Sequence, residues 1–381
     1  MKLNKLVFIT SHPIQYQVPI FKKIAKFNKN FSVIFENKVK KNVIINDQGF
    51  NKKIKWGNSL VKGYKFSYFR KKTDLIMNIK NLYMYLKKNN IEYVILSGWN
   101  SSFYKLAFIV SKILKIKIIL RCENNFYEDS LFKKNLKRII FRFFFNLIHK
   151  FIAIGKKNEE MYLECNVSKN KIINANYFVD NNFFSKKFIN LKKRKIMRKK
   201  YKSNGKKIFL FVGKLISRKG LDVLFNSIKL LKERNFKKKN VFLIVGSGTE
   251  ERKYKQMKIN YNLSNILFTN FKNQKELLYF YDLADFLILP SYYETWGLVA
   301  NESLEMGTPC IVSNGCGCAN DMVKDNINGF SFNKGNHIEL ANLIAKTSKN
   351  DKRNRITSKS IKHSLKKYNI DKTVNAILKL N

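Results

Sequence analysis

Short apolar runs alternate with longer segments of helical periodicity along this chain of 381 residues. Most runs have the length of a buried strand and end in polar or glycine-containing loops. No two runs are joined by a tight hairpin turn, so the alternation predicts parallel strands linked by helices, a doubly wound α/β fold. The predicted strands lie at 6–10, 31–35, 93–97, 115–121, 151–155, 208–212, 241–245, 265–268, 286–289, 310–313 and 330–332, and the clearest predicted helices at 20–27, 274–283 and 298–306.

A strongly basic segment at 186–207 separates two such series of strands. It contains a polar, glycine-containing break at 201–205, which is typical of a linker. The chain is long enough for two domains that each have a hydrophobic core. We therefore predict domains at 1–187 and 188–355, followed by a helical C-terminal segment at 356–381.

The charge balance is far from neutral. Lys and Arg number 75 against 26 Asp and Glu, a net charge of +49. Such an excess indicates a polyanionic neighbour or a biased composition, and the abundance of Lys, Asn, Ile and Phe is typical of an AT-rich genome. The basic segments lack interleaved aromatic residues or a recognisable reader module, so nucleic-acid binding is the least favoured function.

Residues 131–151 predict an amphipathic helix with a basic rim. Two interpretations remain open: the apolar face packs on the sheet, or the rim also lies on anionic lipid. The apolar positions at helical spacing are Leu136, Ile139, Ile140, Phe143, Leu147 and Phe151, widened by Phe141 and Phe145. The basic positions are Lys133, Lys134, Lys137, Arg138 and Arg142.

The cysteines and the N-terminus indicate a reducing compartment. Five cysteines form no Cys-x-x-Cys pair, and the four histidines lie elsewhere, so we expect reduced thiols and no zinc site. Residues 1–10 run directly into the first strand and do not resemble a signal peptide. No run of about twenty apolar residues predicts a membrane span.

The stretch 290–309 carries the most informative chemistry. A strand stops at Pro290, a polar loop carries Glu294, and a helix begins after Gly297. Free amides at a helix N-terminus bind phosphate, here those of Gly297, Leu298 and Val299. Glu302, one turn inside the helix, is placed to accept hydrogen bonds from a diol, so the pattern predicts a nucleotide. The alternative is an ordinary strand, loop and helix with solvated acids.

Two further loops follow predicted strands. Residues 213–220, GKLISRKG, place Gly213, Lys214, Arg218 and Lys219 after the strand 208–212. Cations there can hold a diphosphate and stabilise the charge of a leaving group, unless the loop is simply a solvated basic turn. In the first domain, His12 and Gln15 follow the first strand and Glu123 follows the strand 115–121. The carboxyl ends of parallel strands are where such sheets bind ligands.

Glu294 and Glu302, with seven residues between them, resemble the E-x7-E motif of retaining glycosyltransferases of family 4. The flanking Pro-Ser, Gly-Leu-Val and Gly-x-Pro agree with that family. Lys219 and Gly220 match its Lys-Gly element, while Lys214 stands in place of an arginine. The segment SHPIQY at 11–16 replaces the family's glycine-rich loop and is similar to a bacterial branch.

The resemblance implies roles for these residues. Glu302 would bind the ribose and Glu294 the transferred sugar, with Gly213, Gly297, Leu298 and Val299 around the donor. Lys214 and Lys219, supported by Arg218, would stabilise the leaving diphosphate. His12, Gln15 and Glu123 would face the acceptor or the sugar.

The resemblance also implies a GT-B fold, in which two Rossmann-like domains face a cleft and the C-terminal helix crosses back to the first domain. The implied activity is transfer, with retention, of a hexose-type sugar from a nucleotide-diphosphate donor to a hydroxyl. We expect no cofactor and no metal, because no Asp-x-Asp motif occurs and lysines can supply the charge. The expected acceptor is lipid-linked or a saccharide, in lipopolysaccharide or capsule synthesis. The expected location is the cytoplasm, on the inner face of an anionic plasma membrane.

Two alternative functions remain. One is a GT-B enzyme of another kind, an inverting transferase or a nucleotide-sugar epimerase. The more remote one is a nucleic-acid-binding protein, to which only the net charge points.

Overall fold

The computed structural model describes residues 5–37, 44–47, 52–55, 58–69, 75–126, 130–201, 205–236, 239–349 and 356–379. Most of the predicted break at 201–205 and the predicted boundary residue 355 lie outside these residues.

Strands and helices alternate along most of the chain. The strands are β1 (Leu6–Thr10), β2 (Phe31–Phe35), β3 (Ile44–Asp47), β4 (Lys52–Lys55), β5 (Lys65–Tyr68), β6 (Tyr93–Leu96), β7 (Lys117–Arg121), β8 (Lys150–Ala153), β9 (Ile172–Asn174), β10 (Lys207–Val212), β11 (Asn240–Val245), β12 (Ile266–Thr269), β13 (Phe286–Leu289), β14 (Cys310–Ser313) and β15 (Gly329–Phe332). The α-helices are α1 (Val18–Phe27), α2 (Leu75–Lys88), α3 (Ser102–Ile113), α4 (Leu131–Asn146), α5 (Lys156–Glu164), α6 (Leu191–Lys200), α7 (Leu221–Glu233), α8 (Glu251–Asn260), α9 (Gln274–Leu283), α10 (Leu298–Glu305), α11 (Gly317–Asp321), α12 (His337–Ser348), α13 (Ser358–Ser364) and α14 (Ile370–Leu378).

The first compact unit comprises Met1–Ile44, Lys55–Tyr177 and Ile370–Asn381. Its seven-stranded sheet has the order β5-β2-β1-β6-β7-β8-β9, and all of its pairings are parallel. The strand order reverses between β1 and β6, so polar side chains beyond the carboxyl ends of these strands lie where such sheets bind ligands. Helix α14 belongs to this unit: Asp371 forms an ion pair with Lys23 of α1, and Thr373 donates a hydrogen bond of 3.0 Å to the Asn176 carbonyl.

The second unit comprises Ile45–Ile54 and Phe178–Asn369. Its six-stranded sheet has the order β12-β11-β10-β13-β14-β15, again with parallel pairings, and reverses between β10 and β13. The central strands are buried along nearly their whole length because helices cover both faces of a parallel sheet. Strands β3 and β4 form a separate two-stranded sheet.

The two parallel-sheet α/β units confirm the predicted fold class. The division falls after Tyr177 and again after Asn369, whereas the sequence analysis placed it after residues 187 and 355. The C-terminal segment contains two α-helices, α13 in the second unit and α14 in the first. The expected cleft between the domains stays a prediction.

Only part of the apolar face predicted for helix α4 packs against the rest of the first unit. The helix carries two apolar stripes, and the sheet side takes the one with more aromatic rings. Phe145 is fully buried, and Phe141 and Phe144 pack with centroids 4.9 Å from the rings of Trp99 and Phe108, respectively. Phe141 and Phe145 belong to the predicted face, but its other helical residues are exposed, namely Leu136, Ile139, Ile140 and Phe143, as is Leu147 beyond the helix.

Candidate active site

Adjacent strands β10 and β13 bring their following loops, 213–220 and 290–297, into direct contact. The backbone amide of Tyr292 donates a 2.9 Å hydrogen bond to the Arg218 carbonyl. Gly220 has a φ of +65°, and a Cβ there would lie 2.1 Å from the Pro290 carbonyl oxygen. Only glycine therefore allows the two loops to approach this closely.

An ion pair between Lys219 and Glu294 lies at the centre of this contact. Arg218 approaches the other carboxylate oxygen, with Nη1 3.7 Å from Glu294 Oε2, and also donates to the Tyr293 carbonyl at 3.2 Å. Ser291 Oγ lies 3.4 Å from Glu294 Oε1. Because Glu294 is buried, its carboxylate needs compensating charge, and two cations of the neighbouring loop provide it.

The electrostatics of Lys219 combine opposing effects. Burial, then the charge of Arg218 and more weakly that of Lys214, lowers the pKa of the Lys219 ammonium. The Glu294 carboxylate opposes that shift because it stabilises the charged form. The three cations of residues 214–219 thus share one small region that favours anions.

The N-terminus of α10 directly follows this loop. Gly297 is the N-cap residue, has a φ of +104° and provides no side-chain cap. The positive φ favours glycine at this position, and a Cβ there would also lie 2.9 Å from Leu289 Cδ2, so that side chain would have to shift. The amides of Leu298 and Val299 are in the first turn, where helices leave donors unsatisfied and anions bind.

Glu302 lies one turn further along α10 and is held by a different neighbour. Tyr281 of α9 donates a 2.6 Å hydrogen bond to Glu302 Oε2. Burial raises the pKa of Glu302 to about 7, against the opposing effect of that hydrogen bond. Among the described residues, no hydrogen bond or ion pair joins Glu302 to the Lys219–Glu294 pair.

A third loop, 314–317, supports Glu294 from below. The Glu294 amide donates to the Gly315 carbonyl at 3.2 Å, and the Gly317 amide donates to the Glu294 carbonyl at 3.1 Å. A Cβ at Gly315 would lie 2.4 Å from the Tyr292 carbonyl oxygen. Sequence reasoning missed Gly315, Ser291 and Tyr281. The alternating glycines in residues 314–318 could have indicated that a loop there packs closely on Glu294. The sequence around Tyr281 has no pattern that indicates its contact with Glu302.

The remaining predicted site residues lie at the carboxyl edge of the first sheet. His12 is exposed, with Nδ1 2.9 Å from Ser11 Oγ, and Gln15 is half-buried in the loop before α1. Tyr16 donates a hydrogen bond to Glu123, and Arg121 Nη1 lies 3.9 Å from Glu123 Oε1. Burial raises the pKa of Glu123, although both neighbours act in the opposite direction.

Comparison with known proteins shows what the second unit is similar to. Residues 192–363 match the profile described as Glycosyl transferases group 1. An uncharacterized glycosyltransferase of Methanocaldococcus jannaschii is 29% identical over 171 residues, 45% of this chain and 46% of that protein. The N,N'-diacetylbacillosaminyl-diphospho-undecaprenol alpha-1,3-N-acetylgalactosaminyltransferase of Campylobacter jejuni is 23% identical over 72% of this chain and 73% of its own length.

The fold is similar to solved structures over almost the whole chain. Anabaena HepE in complex with UDP superposes with a TM-score of 0.76 at 14% identity, covering 98% of each chain. By sequence, the chain spans between 31% and 46% of the length of the first curated relatives that it matches. The profile match lies inside the second unit, so residues 192–363 are similar to glycosyl transferases of group 1, and the fold of the chain matches that of solved GT-B structures.

Proposed function

We propose that this protein is a retaining glycosyltransferase. It moves a hexose-type sugar from a nucleotide-diphosphate donor to a hydroxyl of a lipid-linked or saccharide acceptor, in the synthesis of a bacterial surface polysaccharide such as lipopolysaccharide or capsule. The observation that carries the proposal is the buried Lys219–Glu294 pair with Arg218 beside it, next to the uncapped N-terminus of α10. That arrangement places cations and free amides around one point.

The donor occupies the second unit in this proposal. Its diphosphate lies against the amides of Leu298 and Val299 and the cations of Lys219 and Lys214, while Glu302 accepts hydrogen bonds from the ribose hydroxyls. Glu294 accepts hydrogen bonds from the sugar. Because these cations supply the positive charge that a metal would, the reaction proceeds without a metal or another cofactor.

In the transfer step, the bond between the anomeric carbon and the diphosphate oxygen breaks, and its electron pair stays on that oxygen. Lys219 and Lys214 stabilise the resulting charge. The acceptor oxygen forms its bond to the anomeric carbon on the face that the diphosphate leaves, and its proton passes to a diphosphate oxygen. The configuration at the anomeric carbon is therefore retained.

The relative from Campylobacter jejuni bears a name that specifies a diphospho-undecaprenol acceptor, which supports a lipid-linked acceptor here. Such an acceptor keeps the reaction at a membrane surface. Among the described helices, none combines the length and the apolar character needed to cross a bilayer. Attachment through a protein surface, on the cytoplasmic leaflet, is thus part of the proposal.

Helix α4 supports that attachment. Leu131, Phe132 and Phe143 are 81%, 79% and 72% exposed, respectively. Around them the helix carries five basic residues and no acidic one, and α3, which packs beside it, exposes Ile109 and Ile113. An apolar stripe with a basic border fits an anionic bilayer surface.

The direct test is product analysis. The purified protein is incubated with a panel of nucleotide sugars and a polyprenyl-diphosphate sugar acceptor, and the product is examined by NMR spectroscopy. We expect release of a nucleoside diphosphate and a glycosidic bond with the donor's anomeric configuration. An inverted bond would contradict retention, and an epimerised sugar nucleotide without transfer would favour the epimerase alternative.

A further inference from the structure

Two buried donors without partners lie side by side at the carboxyl edge of the first sheet. Strands β6 and β7 pair with Leu96 opposite Leu120, so the next residues, Ser97 and Arg121, are neighbours. Arg121 is only 2% exposed. Within the described part of the chain, Arg121 Nε and Ser97 Oγ are sealed from solvent and have no hydrogen-bond partner.

The surroundings of Arg121 fix its position without giving its Nε a hydrogen-bond partner. Its nearest carboxylate oxygen, Glu123 Oε1, is 3.9 Å from Nη1, beyond hydrogen-bond length. Its guanidinium lies 5.1 Å from the centroid of the Tyr177 ring, and Tyr177 packs edge-on against Tyr16 at 5.6 Å. Tyr16 in turn donates to Glu123. The arginine is therefore held in a fixed position while its Nε lacks a hydrogen-bond partner.

Leaving such donors unsatisfied is costly. A buried polar group that loses water without gaining a hydrogen bond destabilises the folded state, and a charged one does so more strongly. Native proteins contain few such groups, and those that occur require an explanation. Among the buried side-chain atoms of the described residues that lack a partner, these two lie on adjacent strands beside the point where the strand order reverses, which is where such sheets bind ligands.

We infer that Arg121 and Ser97 bind an anionic group, a phosphate or a carboxylate, that belongs to the acceptor. The planar fork of arginine matches two oxygens of either group, and the serine hydroxyl adds a third donor. In the proposed function the cations and amides that hold the donor lie in the second unit, and we assign the anion bound by the first unit to the acceptor. The assignment to the acceptor rests on the proposed function, whereas the binding of an anion does not.

Calorimetric titration of the full-length chain with pyrophosphate, inorganic phosphate and acetate tests the inference. Pyrophosphate can also bind near Lys219, so the parent is compared with Lys219→Ala, Arg121→Gln, Arg121→Lys and Ser97→Ala. We expect the parent to show a binding event that Lys219→Ala retains. The affinity of this event should fall at least tenfold in Arg121→Gln and by a smaller factor in Arg121→Lys. Stronger binding of the phosphates would identify a phosphorylated acceptor, and stronger binding of acetate a carboxylated one.

Lys88→Gln is a control for the loss of one positive charge, because Lys88 is an exposed cation of the same unit. It should leave the titration unchanged. Ser97→Ala should keep the parent's melting temperature, since its hydroxyl makes no hydrogen bond to lose, and should weaken binding about threefold or more. If Arg121→Gln fails to fold, the anion affinity of Ser97→Ala tests the inference instead.

The inference is overturned if the parent binds none of the three anions, or if Arg121→Gln and Ser97→Ala bind them as tightly as the parent. Failure of the proposed function is a separate result, because it would appear as absent binding of nucleoside diphosphates. With an acceptor in hand, Arg121→Gln should raise the KM for the acceptor and leave the KM for the donor unchanged.

Discussion

In the proposed function, Lys219 stabilises the charge of the leaving diphosphate. Lys219 forms an ion pair with Glu294, and Arg218 lies close to the same carboxylate. A departing diphosphate would add a second anion beside an ammonium that is already fixed in place. Electrostatic stabilisation of this kind acts on the transition state without reorganisation.

Replacement of Lys219 by alanine should reduce turnover about 100-fold or more, with a smaller change in nucleoside diphosphate affinity. Steady-state kinetics and calorimetry separate the two effects. Lys207→Ala is a suitable control, because Lys207 also forms an ion pair, at 2.9 Å with Asp285, but at the opposite end of β10. If the two variants turn over alike, Lys219 has no catalytic role.

Glu302 gives a test that depends on pH. Its pKa is raised to about 7 in the folded protein, above its ordinary value near 4.5, because burial disfavours the carboxylate. The folded state therefore gains stability from the protonated form below about pH 4.5, and this contribution is lost as the pH rises through 7. Glutamine imitates the protonated acid and still accepts a hydrogen bond from Tyr281.

We expect Glu302→Gln to melt at a higher temperature than the parent at pH 8 and at nearly the same temperature at pH 5. Thermal melts at both values measure the difference. Glu305→Gln, at another half-buried acid whose pKa is raised to about 7, checks that each site contributes separately. If the difference in melting temperature between Glu302→Gln and the parent is the same at both pH values, Glu302 does not titrate between pH 5 and pH 8.

At the scale of elements, the sequence predicted those that have one apolar pattern and clear stops. Strand β13 ends at Leu289 because Pro290 follows, and α10 begins at Leu298 because Gly297 adopts a positive φ. Helix α4 could not be oriented, since two apolar stripes compete and only the positions of Trp99 and Phe108 decide between them. The short strands β5 and β9, at the edges of the sheet, left no pattern distinct from loop.

The exposed stripe of α4 should determine membrane binding. A variant with Leu131, Phe132 and Phe143 replaced by serine should lose most of its sedimentation with anionic liposomes, because each buried apolar side chain contributes about 1.5–3 kcal/mol. The parent should bind at low salt and be partly released at high salt, as the basic border is screened. The loss of sedimentation should not result from unfolding of α4, because these side chains are exposed in the folded protein.

Leu75 and Ile76 of α2 are the matched control, because they are also large and exposed. Their replacement by serine should leave sedimentation unchanged. Equal binding by the parent and the α4 variant would place the membrane surface elsewhere. A parent that never binds vesicles would favour a saccharide acceptor and leave the net charge of +49 to compositional bias.

At the scale of the whole molecule, the two parallel-sheet units were predictable because strand and helix periodicities alternate along the entire chain. The candidate donor site was predictable because its residues fall in two continuous stretches, 213–220 and 290–302. The pair of Ser97 and Arg121 could not be predicted from the sequence, because the two residues are 24 positions apart and become neighbours only through the pairing of β6 with β7. Sites assembled from strand order require the structure.

The central claim is that the second unit binds a nucleoside diphosphate through Glu302 and the loops around Glu294. Thermal melting of the parent with UDP, GDP, ADP, CDP and dTDP tests it most directly. A ligand at one hundred times its Kd adds about 2.7 kcal/mol of stability, so at least one of them should raise the melting temperature clearly. Glu302→Ala should lose about 1.5–3 kcal/mol of binding free energy and with it most of that rise. A melting temperature that none of the five changes, or a rise that Glu302→Ala fully retains, would contradict the account.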